Sequence, residues 1–331
     1  MSGLRELTSR ISRGLAVPPD QRLALLAYDT LNLGDDVQAL AALRLMPRVD
    51  HLVFRDKLAD FDAEPGTRAR IIMNGWFMGS KSWPPPDTLE PLFVSFHLGQ
   101  YRYSEYFNRL ERSFLFSRTQ RHFMLSDKSL AYFKKHEPIG CRDLPTMEAL
   151  RAEGIDAYFS ACLTLTLKAS DINRPRHDIL IVEPNLDVDE LFRAIPRALQ
   201  DRVVFLSHQT DLRGPPALRM NTAADLLERY ARAHLVITSR LHCALPCLAL
   251  GTPVLFIPPR HDLKRFEGIA ELLTIPKTAD GRLAETIPWE SPTTNPTAYR
   301  PLADKLEAQC RAFLSGARTA AGRTERTPQL A

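Results

Sequence analysis

Residues 235–257, LVITSRLHCALPCLALGTPVLFI, narrow what this chain can fold into more than any other stretch. Leu235, Val236 and Ile237 form an apolar, largely β-branched run that predicts a strand. Residues 243–250 make a short helical run, Gly251 fits the position just past a helix end, and residues 254–257 predict a second strand. Strand, helix, strand is the unit of an open parallel sheet, in which ligands gather outside the carboxyl ends of the strands. A helix start there adds free N–H groups and a partial positive charge. Arg240 and His242 fall on that junction, the first a two-pronged donor and the second titratable. Pro246 is expected near the first turn, where a missing N–H costs least. The pair either caps and solvates a strand end or binds an anion, and a position facing a cleft favours the anion.

The same alternation runs through the rest of the chain. LALLAYD leads into TLNLGDD, after which Val37, Leu40, Ala41 and Leu45 keep helical spacing. Further strands are expected at 51–54, 70–74, 91–98 and 113–117, with helices near 103–111, 127–135 and 145–153. A second series has strands at 178–185 and 203–209 before the 235 unit, with helices at 188–199 and 223–233. The runs are nearly continuous in apolar residues, which predicts sheets covered on both faces. The fold class is therefore α/β, with two doubly wound domains facing a cleft.

The polar stretch around Arg174-Pro175-Arg176 marks a linker, so the boundary is placed near residue 172. The division is an amphipathic segment over 1–20, an N-terminal domain over 21–172, a C-terminal domain over 173–315 ending in a helix over 302–314, and a flexible tail over 316–331. Residues 276–300, rich in proline, are expected to cross the surface. At 331 residues the length suits two domains of about 150 residues each.

Composition excludes several classes. No run approaches the roughly 18 apolar residues of a membrane span, and no signal-peptide core follows the first residues. A soluble, cytoplasmic chain is expected. Leu4, Leu7, Ile11 and Leu15 recur opposite Arg5, Arg10 and Arg13, so this start either packs on its own domain or rests peripherally on an anionic membrane face. The net charge of +4, without a basic block, speaks against nucleic acid. The five cysteines, odd in number and set in apolar runs, read as reduced core residues. Cys243 and Cys247 share a helix face but lack a second pair with ligand spacing, so no metal is expected. Neither a G-x-G-x-x-G nor a G-x-x-x-x-G-K-[ST] pattern occurs, which argues against a dinucleotide or P-loop site.

Polar residues recur at the expected strand ends. Asn32, Gly34, Asp35 and Asp36 follow the first strand; one aspartate is explained as a helix cap, and the other is left to hold a sugar hydroxyl or act as a base. Arg142 and Asp143 follow a short strand and either pair with one another or reach the anion of Arg240 from the opposite side. His208, Gln209 and Asp211 leave the strand before Arg240. Asn74, Gly75 and Trp76 end another strand, and His97, Gly99 and Gln100 close one more. Trp83, before Pro84-Pro85-Pro86, is either a platform for a sugar face or a ring held against its own domain.

Three motifs together, YDTLNLGDD, IGCRDLPTMEAL and VITSRLHCALPCLALGTPVLFI, resemble the polysaccharide pyruvyl transferase family in order and spacing over residues 22–275. The resemblance implies two Rossmann-like domains similar to B-type glycosyltransferases. It implies transfer of pyruvate from phosphoenolpyruvate to a sugar of an exopolysaccharide or cell-surface glycan precursor, as a ketal, with phosphate released. It makes Arg240 and His242 the core of the phosphoenolpyruvate site with Arg142 as a third basic member, and Asp35 matches the family's acidic position in the first loop. Leu241 and His208 are expected to join the donor site. The chemistry requires an acid, assigned to His242, and a base, assigned to Asp35, and the strand-end residues Asn32, Asp36, Asn74, Trp83 and His97 are expected on the acceptor side. No cofactor and no metal are implied, and a lipid-linked acceptor would give the basic start a purpose. Asp35 and Asp36, and His208 and His242, remain interchangeable at this level, and oligomeric state is open. A nucleotide-sugar glycosyltransferase, for which Glu183 is the plain ribose-binding carboxylate, and a non-catalytic anion-binding protein are the competing readings.

Overall fold

The computed structural model describes residue 17 and residues 21–77, 82–99, 124–168, 176–211 and 214–316. The expected helix at 103–111, the strand at 113–117, most of the 1–20 segment, the linker at 172 and the tail beyond 316 lie outside the described residues.

The first half begins with β1 (Gln21–Ala27), α1 (Leu33–Leu43) and β2 (His51–Phe54), continues through β3 (Arg68–Ile72), β4 (Gly75–Phe77), β5 (Leu89–Leu92) and β6 (Phe96–Leu98), and closes with α2 (Asp127–Lys135), β7 (Ile139–Cys141), α3 (Leu144–Ala152) and β8 (Ala157–Phe159). One parallel sheet has the order β2-β1-β3-β5 and another the order β4-β6-β7-β8. The chain passes straight from β3 to β4 and from β5 to β6, so one layer continues across both. The pairing shifts by one residue on the way, from Ile72↔Leu92 to Gly75↔Phe96. Ser95 absorbs the extra residue at φ 56°, and its N–H donates to Ser160 Oγ at 2.8 Å. The single strand expected over 91–98 is therefore two strands joined by a bulge.

The second half contains β9 (Ile179–Val182), α4 (Val188–Ala194), β10 (Val203–Leu206), α5 (Pro216–Arg232), β11 (Leu235–Thr238), α6 (Leu241–Ala249) and β12 (Val254–Phe256). Its sheet is parallel in the order β10-β9-β11-β12. Helix α4 stops earlier than expected because Ile195 precedes Pro196 and takes an extended conformation (φ −77°, ψ 130°). Helix α5 starts earlier than expected, with Pro216 in its first turn, where a fixed φ suits the helix. Pro246 lies in the interior of α6 rather than near its first turn, so it removes the donor that would have met the His242 carbonyl. The end of α6 is as the sequence suggests: Gly251 stands at φ 69°, its N–H donates to Leu248 O, and Thr252 N donates to Cys247 O at 2.9 Å. The stretch after 276 holds a small hairpin of β13 (Thr278–Ala279) and β14 (Arg282–Leu283), turned by Asp280 and Gly281 at positive φ.

The final helix α7 (Arg300–Ser315) returns to the first half, where Leu306, Cys310 and Leu314 join its core and Arg44 donates to Glu307 at 2.6 Å. All of α1 is buried, because it lies between its own sheet and α5 of the other half. Hydrophobic packing alone does not join the halves. Leu33 N donates to His208 O at 2.8 Å and Thr210 N to Leu31 O at 2.8 Å, so the loop after β1 is stitched by main chain to the loop after β10.

Candidate functional site

The carboxyl ends of both sheets meet where those loops join. On the second half, Thr238 Oγ1 donates to Val182 O and accepts from Arg240 N at 2.9 Å, which fixes the turn out of β11. Arg240 is the N-cap of α6, and no side chain caps this helix start. Its Nε instead donates to Glu183 Oε2 at 2.5 Å. Glu183 sits at φ 44° just past β9, a strained position for a non-glycine residue, and also accepts from Ser207 Oγ at 2.7 Å. Burial works against its charge, but Ser207 and Arg240 together hold its carboxyl below the usual range. Leu241 turns its side chain into the second core.

His242 is one residue further in. Gly34 of α1 packs on it so closely that a Cβ there would stand 3.2 Å from His242 Cβ and 3.3 Å from Nδ1. Its Nε2 is shut off from solvent and has no hydrogen-bond partner. Burial pushes His242 well below the usual histidine range, and the neighbouring Arg142, His208, Arg265 and His97 push it further. His208 is fully enclosed, its Nε2 2.5 Å from Tyr230 Oη.

The first half contributes Arg142, which leaves β7 and is 2% exposed. Asp143 caps α3 by accepting from Thr146 N at 3.0 Å, meets His97 Nδ1 at 2.5 Å, and lies 3.4 Å from Arg142 Nε. Asp143 is pulled down to about 2: burial opposes its charge, but His97, Arg142 and Thr146 outweigh it. His97 is pushed down to about 4, chiefly by burial and then by Arg142. Neutral His97 thus donates Nδ1–H to the carboxylate. Arg142 Nε, though close to Asp143, makes no hydrogen bond. The Arg142–Asp143 contact is therefore present, and the same Arg142 is near enough to His242 to act on its charge.

The acidic loop of the first half is arranged differently. Asn32, not an aspartate, caps α1, accepting from Gly34 N at 3.0 Å. Asp36, expected on the acceptor side, is instead 0% exposed and ion-paired with Arg219 of α5 at 2.7 Å. It joins the two halves and is not the spare carboxylate of the loop. Asp35 accepts from Thr30 Oγ1 at 2.8 Å and lies 3.8 Å from Arg55 NH1; burial raises it above the usual carboxylate range despite Arg55. Arg55 is clasped by Asp56 and lies between the rings of Tyr28 and Trp76, 5.3 Å and 5.4 Å from their centroids.

Two acceptor-side expectations fail on burial. Trp83 is enclosed by Phe77, Phe93, Phe96, Tyr132 and Phe133, a core ring with no face for a sugar. Asn74 is also enclosed, donating to Gln38 O at 2.8 Å, and so ties the sheet to α1.

Arg55, Arg219, Tyr230 and Arg265 were not singled out from the sequence. Arg55 follows β2 directly, and the strand-end rule that nominated Asp35 would have found it. Arg219 and Tyr230 are helical positions without a distinguishing pattern. Among the described residues, no group of three or more His, Cys, Asp or Glu is arranged to hold a metal ion. Also among them, no helix is long and apolar enough to cross a membrane.

The family model described as polysaccharide pyruvyl transferase matches residues 123–261. The resemblance read from the motifs holds over that stretch, which includes Arg142, His208, Arg240, Leu241 and His242. No curated protein matches the chain. Among solved structures, a functionally uncharacterized protein of Klebsiella pneumoniae is 12% identical at a TM-score of 0.40, covering 74% of this chain and 87% of that one. A putative UDP-N-acetylglucosamine 2-epimerase of Listeria monocytogenes is 12% identical at 0.38, covering 89% and 91%. The wall teichoic acid polymerase TagF is 12% identical at 0.38, covering 95% and 86%.

Proposed function

We propose, from the polysaccharide pyruvyl transferase match over residues 123–261, that the chain moves pyruvate from phosphoenolpyruvate onto a sugar of an exopolysaccharide or cell-surface glycan precursor. The observation that carries the reading is the buried junction of Arg142 and His242, where a guanidinium lies near a neutral imidazole whose Nε2 lacks a partner. Such a junction is short of negative charge. Phosphoenolpyruvate brings a phosphate and a carboxylate, and an N–H-rich helix start adds to the attraction.

Neutral His242 is a poor acid while the pocket is empty. An anion seated beside it reverses the electrostatic balance and draws a proton onto the imidazole. The imidazolium then gives that proton to the methylene carbon, and C2 becomes electrophilic. A sugar hydroxyl bonds to C2 as Asp35 takes its proton, burial having raised the proton affinity of that carboxyl. Phosphate leaves with the bonding pair, its charge met by the arginines. A second hydroxyl then bonds to C2 and gives its proton to His242, neutral since the first step, completing the ketal, while the proton on Asp35 leaves with the phosphate. His208 is held by Tyr230, which favours giving the acid role to His242. The engagement of Asp36 by Arg219 likewise favours Asp35 as the base.

The route needs no metal or organic cofactor. A lipid-linked acceptor, met at the cytoplasmic face of a membrane, fits the amphipathic start. Glu183, required free by the nucleotide-sugar reading, is occupied by Arg240 and Ser207.

The test is phosphate release and acceptor mass gain with phosphoenolpyruvate and a set of glycan precursors. His242→Gln is expected to fall by about 10²- to 10⁴-fold in kcat with an unchanged unfolding midpoint. Full activity in that variant places the acid elsewhere. Phosphoenolpyruvate binding without turnover on any acceptor favours the anion-binding protein.

A further inference from the structure

In the second sheet β9 lies between β10 and β11, so the residue just past β9 stands between the turns that leave its two neighbours. That residue is Glu183. Its carbonyl accepts from Ser239 Oγ at 2.5 Å, beyond β11. Its carboxylate accepts from Ser207 Oγ at 2.7 Å, beyond β10, and from Arg240 Nε at 2.5 Å, at the start of α6. One residue thus laces three strand ends together.

The backbone at this point does not call for a glutamate. A φ of 44° suits glycine, and a residue with a Cβ takes it only under strain. Glycine would make the same turn freely and keep the carbonyl bond to Ser239. What glutamate adds is the carboxylate, and the carboxylate holds Arg240. Strain kept for the sake of a side-chain contact points to function rather than to folding.

The manner of the contact matters. The carboxylate takes Nε, the inner nitrogen of the guanidinium, and among the described residues neither Nη1 nor Nη2 has a hydrogen-bond partner. The main chain of Arg240 is fixed as well, its N–H donating to Thr238 Oγ1 at 2.9 Å. An arginine gripped at its backbone and at Nε swings little, and its outer nitrogens remain available as a paired donor.

We propose that Glu183 is a positioning residue of the donor pocket, whose carboxylate holds the Arg240 guanidinium by Nε so that Nη1 and Nη2 meet the anionic donor already ordered. This rests on the reading of the site as a phosphoenolpyruvate pocket. Two effects of the carboxylate oppose one another. Its charge repels an arriving anion, whereas fixing a long side chain beforehand removes the ordering cost of binding. The Arg240 and Glu183 side chains are 37% and 22% exposed, so solvent screens the repulsion and the ordering effect is the larger.

The experiment titrates phosphoenolpyruvate calorimetrically into the full chain, Glu183→Gln, Glu183→Gly, Arg240→Gln and the Glu183→Gly/Arg240→Gln double variant, with unfolding midpoints recorded for each. Glu183→Gln keeps an oxygen for Nε and is expected to bind within about twofold of the parent. Glu183→Gly loses the grip and is expected to bind about 5- to 10-fold more weakly, with a midpoint at or above that of the parent because the strain is gone. The double variant is expected to bind no more weakly than Arg240→Gln, since Glu183 acts through Arg240. Tighter binding in both Glu183 variants would reduce the carboxylate to a repelling charge and overturn the proposal. So would a lowered midpoint in Glu183→Gly, which marks a structural tie, or losses that add in full in the double variant. A parent that binds phosphoenolpyruvate no better than Glu183→Gly does overturns the positioning role alone, whereas a parent that does not bind it sinks the donor reading and this proposal together.

Discussion

Two charged clusters lie at the contact between the halves, and they are built on opposite principles. In one, each buried carboxylate has a guanidinium: Asp36 with Arg219 and Asp35 with Arg55. In the other, Arg142, His97, His208 and His242 gather near Asp143, the carboxylate that the described residues place among them. Burying a charge is tolerable when it is paired and hydrogen-bonded. The first cluster meets that condition within the chain and serves as an internal clamp. The second does not, and burial keeps His97 and His242 neutral within it. A compensated cluster holds a fold together, whereas an undercompensated one is poised for a ligand of opposite charge.

The sharpest way to break the comparison is at the clamp. Arg219→Ala leaves Asp36 buried without its partner and is expected to cost about 3–5 kcal/mol of stability, read from denaturant unfolding. Replacing both members with apolar residues of similar size, Asp36→Leu with Arg219→Met, is expected to recover most of that. A loss as large in the double variant would mean that the pair is more than a compensated charge.

Acid separates the clusters next. His97, at about 4 in the fold against an ordinary 6.5, refuses a proton that the unfolded chain accepts. Its share of stability therefore falls as pH drops from about 6.5 to 4, by up to about 3 kcal/mol. Asp36, raised to about 6 by burial against the pull of Arg219, binds its proton more readily in the fold than in the unfolded chain, so its share grows as pH drops from 6 towards 3.8. In unfolding measured across that range, His97→Gln is expected to flatten the acid loss and Asp36→Asn to steepen it. Slopes moving the same way would erase the distinction between the clusters.

Much of this was legible in the sequence where local chemistry decides. The β11–α6–β12 unit announced itself through a β-branched run, a helical run and Gly251, and the observed cap uses that glycine as expected. Asp280-Gly281 carries an equally local hairpin signal, masked in the sequence by the surrounding prolines. Trp83 was ambiguous for a different reason. Whether a ring after a strand faces a cleft or a core depends on Phe93, Phe96 and Phe133, which the fold brings up from distant positions. Arg219 looks from its helix like an exposed position and becomes buried only when α1 of the other half packs along α5.

The most direct measurement is calorimetric titration of phosphoenolpyruvate into the chain at pH 7 in two buffers of different ionisation enthalpy, beside His242→Gln. Most of a phosphate monoester is fully charged at that pH, its second pKa being about 6. An undercompensated cluster predicts binding coupled to uptake of up to about one proton, because the arriving anion lifts His242 out of its depressed range. In the variant, binding should persist more weakly and the uptake should vanish. Binding with equal proton uptake in both proteins, or no binding at all, would contradict the account.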